Sequence, residues 1–332
     1  MTDPTISVIV PAYNGVRYLR DSIASVIAQT LQPTELFIVD DGSTDGSDKL
    51  AEAIETPFPK YVLRQPNKRQ SAARNLAASK ATGKYLAFLD HDDIWYPKHL
   101  EKLVAPLEAD DRLGWSYSDI DEIDSEGGLI SLRVLHSLNP AVQHPKTNIF
   151  NMLGGDMFIF PSAAVVRRAA FEQVGGFDER LSGYEDDDLF LRLFRAGWLN
   201  SYDPDALVRY RRHSSSSAFS ERMWISRDIF AGKLLEAYPD DRELVRFYVR
   251  DIIAPRFYGA ALAEYFRHLP HRRWQQCHLS VKLMRRFTKL TKLPFGNKLL
   301  RRMIVMEIMS YPKFVVFVYP VLRYFVALPR LK

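Results

Sequence analysis

The sequence predicts an α/β protein in which a Rossmann-like, mixed but mainly parallel sheet is flanked by helices and followed by a basic helical extension. The first observation is that apolar runs alternate with helix-like segments through the first 120 residues or so, which is typical of βαβ units and a parallel sheet. The second is size, because 332 residues can bury a full core and hold one large domain with an extension. The third is a change in charge along the chain.

Three apolar runs predict buried strands, a fourth run at 60–64 predicts a short strand, and four amphipathic runs predict the helices between them. The predicted strands are 6–12, 34–40, 60–64 and 84–90. The predicted helices are 16–30, 47–55, 71–81 and 97–109, the last with a proline in its first turn. From about Gly114 to Arg212 the pattern is mixed and predicts short strands and Gly-rich loops, with an amphipathic helix at 185–196.

The charge divides the chain near residue 220, and we place a boundary close to the Ser214–Ser217 run. Residues 221–332 hold 22 Lys and Arg against 9 Asp and Glu, a net charge of +13, whereas the whole chain carries +5 and the first 220 residues therefore −8. From Tyr265 onward, 15 basic residues stand against one acidic residue, Glu307. This asymmetry indicates an acidic partner, and anionic lipid is favoured over nucleic acid because no nucleic-acid-binding module is present.

Three acidic clusters are the main candidates for function, namely Asp40-Asp41, Asp90–Asp93 and Glu185–Asp188. The first two follow predicted strands, and ligands of open α/β sheets bind beyond the carboxyl ends of the strands. The third begins the predicted helix at 185–196. Because carboxylates repel one another, such clusters need a cation or hydrogen-bond donors. They predict a metal-dependent site for a phosphorylated ligand.

The first two clusters suit a nucleotide and its metal. The ring of Tyr13 can stack on a nucleobase, and Asp40 can accept a hydrogen bond from a base N–H. The alternative for DDGSTDGS is a turn with a helix cap. Asp90 and Asp92 form a D-x-D pair of hard oxygen ligands for Mg²⁺ or Mn²⁺, with His91 as a spacer.

The remaining candidates each have an ordinary structural alternative. The 185–188 cluster offers a general base for a hydroxyl group, or simply acidic residues that favour a helix N-terminus. The guanidinium of Arg74 matches the geometry of a phosphate, but Arg74 could also be an ordinary surface arginine. His213 could be a metal ligand or contact a phosphate, or it could lie solvated in a polar loop.

Together these segments resemble glycosyltransferase family 2, the inverting enzymes with the GT-A fold. The resemblance covers roughly residues 5–217. The matching segments are SVIVPAYN, FIVDDGSTDGS, SAARNLAASKATGKYLAFLDHDDIWYP, VVRRAAFEQVGGFDERL, GYEDDDLFLRLFRAG and YRRHSSSS. One departure is Asp187, which stands where the family often has a tryptophan, and it bears on the acceptor rather than on the core chemistry.

The resemblance implies a role for each candidate residue. The nucleotide would be contacted by Pro11, Tyr13, Asp40, Arg74 and Asp90. The metal, Mn²⁺ or Mg²⁺, would be held by Asp92 and His213. Asp186 would be the catalytic base with Glu185 beside it, and Asp188 would lie deeper and help to hold the helix.

The predicted enzyme is thus a metal-dependent inverting glycosyltransferase. We expect a catalytic domain at 1–219, with nucleotide binding at about 1–115 and acceptor binding at about 116–219, and a helical extension at 220–332. The expected donor is a UDP- or dTDP-sugar. The expected acceptor is a saccharide hydroxyl, either free or lipid-linked, in cell-envelope polysaccharide synthesis. A second copy of the chain is a further candidate partner, in a homo-oligomer.

The basic tail predicts contact with an anionic membrane through residues 265–332. Between His278 and Leu293, apolar residues recur at helical spacing beside a basic face, which suits an interfacial helix. The segment 314–328 is very apolar but interrupted by Pro320 and Arg323, so we expect it to be interfacial, re-entrant or a dimer contact. The alternative is a helical bundle packed on the catalytic domain, with a solvated basic face.

Two rival functions and the compartment complete the expectations. A nucleotidyltransferase would need a glycine-rich basic loop after its first strand, where the chain has PAYNGVRYLR. A non-catalytic membrane scaffold would leave the acidic clusters unexplained. The single cysteine, the lack of a signal-peptide pattern and the lack of a long uncharged apolar run predict a cytoplasmic protein peripheral to the inner face of the cell membrane.

Overall fold

The computed structural model describes residues 4–138, 142–213, 222–290 and 306–316. The chain forms two compact units. Unit 1 comprises residues 1–152 and 156–223, and unit 2 comprises residues 153–155 and 224–332. The predicted boundary and the Ser214–Ser217 run lie outside the described residues.

Unit 1 is built on a sheet of nine strands among its described residues. The strands are β1 (Ile6–Ala12), β2 (Glu35–Asp40), β3 (Lys60–Arg64), β4 (Tyr85–Phe88), β5 (Ile94–Trp95), β6 (Leu113–Ile123), β7 (Leu129–Ser131), β8 (Ala164–Arg167) and β9 (Leu199–Arg211). Their spatial order is β3-β2-β1-β4-β8-β6-β9-β5, and β7 pairs with β6.

Eight helices surround this sheet or connect its strands in the described part of residues 1–196. They are α1 (Leu19–Ile27), α2 (Ser47–Ala53), α3 (Arg69–Ala78), α4 (His99–Ala109), α5 (Val134–Ser137), α6 (Ile149–Gly154), α7 (Arg168–Gln173) and α8 (Glu185–Arg195).

The first four strands in sequence form the parallel half of the sheet. β1 pairs in parallel with β2 on one side and β4 on the other, and β2 pairs in parallel with β3. Every residue of β1, β2 and β4 is buried, because helices cover both faces of such a sheet. The chain order reverses at β1, which creates a crevice at the carboxyl ends of β1 and β4.

The second half of the sheet is mixed, and its two main strands are longer than predicted. β6 has 11 residues and β9 has 13, and they pair in parallel. The buried polar residues of β6 obscured the apolar pattern in the sequence. One of them, Asp119, is fully buried and accepts hydrogen bonds from the backbone N–H groups of Leu135 (2.7 Å) and His136 (2.8 Å).

Unit 2 consists mainly of helices where it is described. Its main elements are α9 (Arg222–Ala237), a π-helical turn (Val249–Ile253), α10 (Ala254–His268) and α11 (Trp274–Thr288). No helix in residues 4–138, 142–213, 222–290 and 306–316 is long and apolar enough to cross a membrane.

Helix α11 corrects one expectation about the tail. The predicted interfacial helix would expose its apolar face to lipid, but Leu283 and Phe287 are buried. The ring of Phe287 stacks on Phe257 of α10, with ring centroids 5.5 Å apart. Packing between α10 and α11 therefore takes up this face, while Lys282 and Lys289 stay exposed. Residues 291–305 and 317–332, including most of the apolar segment 314–328, lie outside the described residues.

Candidate functional site

The carboxyl ends of β1 and β2 bring Tyr13 and Asp40 together. Ala12 lies opposite Asp40 in the parallel register, so Tyr13 follows β1 at the point where β2 ends. Pro11 is buried in β1, whereas the Tyr13 side chain is 47% exposed. Asp40 is buried at this edge and Tyr13 is half-exposed; an aromatic ring can stack on a base, and a carboxylate can accept from a base N–H.

The turn with a helix cap, which was the alternative for DDGSTDGS, is also present, and it is formed by Asp41 and Asp45 rather than by Asp40. Asp41 accepts hydrogen bonds from the backbone N–H groups of Lys68 (2.7 Å) and Arg69 (2.6 Å), and thereby fixes the start of α3. Asp45 accepts from the backbone N–H groups of Val16 and Ser47, both at 3.0 Å. These two acidic residues shape the loop, while Asp40 accepts only a 3.2 Å hydrogen bond from the Ser43 backbone among the contacts described.

A buried arginine joins the carboxyl edge of the sheet to the acidic start of α8. Arg74 on α3 is 2% exposed; its Nη2 lies 2.5 Å from Asp90 Oδ1, and its Nη1 lies 3.3 Å from Glu185 Oε1. Its guanidinium also lies over the ring of Phe177, at 5.2 Å. Both terminal nitrogens thus bind carboxylates, which gives Arg74 a different use from the predicted phosphate contact. The Asp90 side chain remains 31% exposed and within reach of a ligand.

The side chains of Asp92, which follows β4, and His213, which follows β9, lie next to each other. Asp92 Oδ2 lies 2.8 Å from His213 Nε2. Burial opposes ionisation of Asp92, but the hydrogen bond from His213 and the charges of His91 and His213 outweigh it, and the pKa of this carboxyl falls below its usual value. A carboxylate that stays deprotonated is a competent metal ligand.

This pair fits a divalent metal that a ligand helps to hold. The donors are one carboxylate oxygen, which suits Mn²⁺ or Mg²⁺, and one imidazole nitrogen, which is more typical of transition-metal ions and so favours Mn²⁺ of the two. Within the described ranges, no group of three or more His, Cys, Asp or Glu side chains is arranged to hold a metal ion by itself. Mg²⁺-type sites often use one or two protein ligands and fill the remaining positions with phosphate oxygens and water. Asp92 and His213 would be those two ligands.

Asp186 lies in the first turn of α8, where its surroundings perturb its pKa. Its Oδ1 accepts a hydrogen bond from the backbone N–H of Asp187 at 2.8 Å. Burial, followed by repulsion from Glu185 and Asp187, raises the pKa of the Asp186 carboxyl well above its usual value. Glu185, by contrast, accepts from Arg74 and Gln70. The geometry therefore favours Asp186 over Glu185 as the proton acceptor.

The rest of the acidic cluster holds the helix in place. Asp188 Oδ2 lies 2.8 Å from Arg192 Nε, and Arg192 also donates to the carbonyl oxygens of Val174 and Gly176. Asp187 is buried and accepts from the backbone N–H of Met157 at 3.1 Å. Asp188 thus occupies the deep position that the resemblance implied, and Asp187 ties α8 to the loop before β8.

Sequence reasoning missed two residues of this site. Gln70 donates to Glu185 at 3.2 Å, and Arg211 at the end of β9 binds the Asp90–Asp93 segment. The only sequence signal for Arg211 was its place two residues before His213. Gln70 carried none, because its contact joins residues 115 positions apart.

Comparison with known proteins decides the family. The sequence profile described as "Glycosyl transferase family 2" matches residues 7–175, a range that includes the parallel half of the sheet and the Asp90–Asp93 segment. The chain belongs to glycosyl transferase family 2. This membership confirms the family and the enzyme class that the sequence predicted for this region.

The glycosyltransferases that resemble this chain differ in how much of it they match. The chain is 33% identical over 227 residues to the putative glycosyltransferase EpsE of Bacillus subtilis, covering 66% of this chain and 76% of that protein. It is 29% identical over 302 residues to an uncharacterised glycosyltransferase of Nostoc, covering 88% of both, so this similarity extends into unit 2. The chain spans 66%, 35%, 35%, 31% and 66% of the length of five Rickettsia glycosyltransferases.

A solved structure confirms the predicted α/β fold of the GT-A type. S. aureus TarS 1–349 in complex with UDP-GlcNAc superposes with a TM-score of 0.60 at 18% identity, covering 93% of this chain and 87% of that one. At this identity the likeness concerns the fold.

Proposed function

We propose that this family 2 protein transfers a sugar from a nucleotide-sugar to an acceptor hydroxyl with inversion at the anomeric carbon. The observation that carries the proposal is the Arg74 bridge. It joins Asp90, at the nucleotide edge of the sheet, to Glu185, which precedes the base candidate Asp186. This contact supports a single site in unit 1 for both the donor and the base. The UDP-GlcNAc complex of TarS supports a UDP-sugar as the donor, and a dTDP-sugar remains the other expected donor.

The donor side of the reaction follows from the strand ends. Tyr13 would stack on the base beside Pro11, Asp40 would accept from a base N–H, and Asp90 would accept from the ribose. Asp92 and His213 would hold Mn²⁺ or Mg²⁺ against the diphosphate. When bound, the metal supplies positive charge that stabilises the departing nucleoside diphosphate.

The acceptor side needs one proton transfer. Asp186 would take the proton of the acceptor hydroxyl as its oxygen bonds to the anomeric carbon. The bond from that carbon to the diphosphate oxygen breaks on the opposite face, and its electron pair leaves with the diphosphate. A base with a raised pKa is well matched to this step near neutral pH.

Metal removal tests the donor side. In a thermal-shift screen of nucleotide-sugars with Mn²⁺, the matching donor at about 100 times its Kd is expected to stabilise the protein by about 2.7 kcal/mol, or roughly 5–10 °C in Tm. EDTA should remove most of this shift. Uridine, which lacks the diphosphate, is the control and should give a small shift that EDTA leaves unchanged. A full donor shift in EDTA would contradict metal dependence.

The acceptor is proposed to be a saccharide, free or lipid-linked, of cell-envelope polysaccharide synthesis. For a lipid-linked acceptor, the protein would act at the cytoplasmic face of the membrane. The basic surface of unit 2 supports this, since Lys282 and Lys289 of the α11 region are exposed.

Vesicle binding tests the membrane contact. The full chain with Lys282→Gln and Lys289→Gln is expected to bind anionic vesicles roughly 30-fold more weakly than wild type, because each surface charge contributes about 1 kcal/mol. Lys49→Gln with Lys80→Gln, two exposed lysines of unit 1, is the matched control and should bind as wild type does. Equal binding by both double variants, or no binding by wild type, would count against this role. Co-sedimentation measures it.

A further inference from the structure

Arg211 is a buried residue at the end of β9 that no step of the proposed reaction uses. Its side chain is 4% exposed. Its Nε donates to the carbonyl oxygen of Asp92 at 2.8 Å, and its Nη1 donates to the carbonyl oxygens of Asp124 (3.1 Å) and Ser125 (3.3 Å). One guanidinium therefore ties the D-x-D segment to the loop after β6.

The same residue is tied to the site by two further contacts. Its backbone N–H donates to Asp93 Oδ1 at 2.9 Å. Its guanidinium lies 4.6 Å from the centre of the Tyr18 ring, and that ring lies 5.5 Å from the ring of His213. Among the described residues, Arg211 thus contacts three segments near the Asp92–His213 pair: the D-x-D turn, the loop after β6 and the start of α1.

Geometry explains why an arginine stands here. The planar guanidinium offers donors in a fixed fork, so it can fix two separate segments in one relative position. His213 follows two residues later, and its approach to Asp92 depends on where the end of β9 is held. Residues that orient metal ligands typically affect metal affinity by 10- to 100-fold when they are lost.

We propose that Arg211 is a positioning residue that sets the distance between Asp92 and His213 and so preorganises the metal pair. It does so by fixing the carbonyl of Asp92 and the end of β9 to the same guanidinium. This inference rests on the proposed function, because it requires Asp92 and His213 to be the metal ligands.

Mn²⁺ binding by the full chain tests the proposal. Electron paramagnetic resonance of free Mn²⁺, with UDP held at a fixed saturating concentration, is expected to give a Kd about 10- to 100-fold weaker for Arg211→Met than for wild type. Arg211→Lys keeps the charge but not the fork and should fall between the two. Arg212→Met is the matched control, because Arg212 is the adjacent arginine, is exposed and pairs with Glu122; its Kd should equal that of wild type.

The readouts separate the inference from the proposed function. Uridine binding without metal should be unchanged in Arg211→Met, whereas general damage to the fold would weaken it as well. Wild-type Mn²⁺ affinity in Arg211→Met would overturn the positioning role and leave the proposed function intact. Absence of Mn²⁺ binding in wild type would overturn both. If Arg211→Met fails to fold, Arg211→Lys decides, and wild-type Mn²⁺ affinity in that variant would overturn the role.

Discussion

Asp186→Asn is expected to lower the turnover of sugar transfer by about 10²- to 10⁴-fold, which is the usual contribution of a positioned general base. Binding of the nucleotide-sugar should stay within a few-fold of wild type, because Asp186 lies on α8 and not at the strand ends. Turnover is measured as nucleoside diphosphate release in the presence of acceptor, and donor binding by calorimetry. Near wild-type turnover by the Asp186→Asn variant would show that Asp186 is not the general base.

The same substitution should not destabilise the protein. Burial and repulsion raise the pKa of Asp186 in the folded state, so the folded state binds the proton more tightly than the unfolded state does. Stability is then lost as pH rises from the ordinary aspartate pKa through the raised one. Asn carries no charge, so at neutral pH the Tm of the variant should equal or exceed that of wild type. Loss of both activity and stability would indicate a structural role instead.

Asp187→Asn is the matched control for the base. It removes a neighbouring buried charge while an amide oxygen can still accept from the Met157 backbone N–H. Transfer is expected to stay within about tenfold of wild type, far from the loss expected for a general base. Because Asp187 repels the ionised form of Asp186, its removal should lower the pKa of Asp186. The acid limb of the pH–turnover profile should therefore move to lower pH, and an unmoved limb would argue against Asp186 as the titrating base.

Arg74→Met is expected to lower the free energy of unfolding by about 3–5 kcal/mol, the usual cost of removing one partner of a buried ion pair. The guanidinium lies between Asp90 and Glu185 and is 2% exposed, so its loss leaves two carboxylates without their cation. Transfer should fall as well, because the bridge sets α8 against the nucleotide edge. Urea denaturation measures the first effect, and nucleoside diphosphate release the second.

Two comparisons make the Arg74 result specific. Arg112→Met removes an exposed arginine paired with Asp110 and should change stability by less than about 0.5 kcal/mol. Adding Glu185→Gln to Arg74→Met should recover part of the lost stability, since one unpaired charge is removed. A loss below about 1 kcal/mol in Arg74→Met, or no recovery in the double variant, would contradict the bridge.

The strand ends were predictable from the sequence because buried parallel strands read as short apolar runs. Asp40 and Asp90 follow such runs, and the structure places both at the carboxyl edge of the sheet. The length of β6 and β9 was not predictable in this way. Serine and aspartate residues interrupt their apolar pattern, and their burial depends on hydrogen bonds such as those of Asp119 to the start of α5.

The connections within the site depend on the three-dimensional fold rather than on any local pattern. Arg74 reaches Glu185 across 111 positions, and Arg211 reaches the Asp92 carbonyl across 119. Nothing near either arginine in the sequence separates a buried bridge from a surface charge. The apolar stripe of α11 shows the same ambiguity, because a helix packed on another helix and a helix on a membrane share one amphipathic pattern. Contact between Phe257 and Phe287 resolves it for this helix.

Calorimetric titration of UDP into the full chain, with Mn²⁺ and again with EDTA, is the most direct measurement. We expect the strand ends to hold the nucleotide and Asp92 and His213 to hold the metal at its diphosphate. UDP should then bind to one site per chain in the presence of Mn²⁺. In EDTA its affinity should fall at least tenfold, which corresponds to about 1.4 kcal/mol of binding free energy. The same titration with dTDP covers the second expected donor. No binding of either nucleoside diphosphate under both conditions would contradict a nucleotide-sugar site at this edge of the sheet.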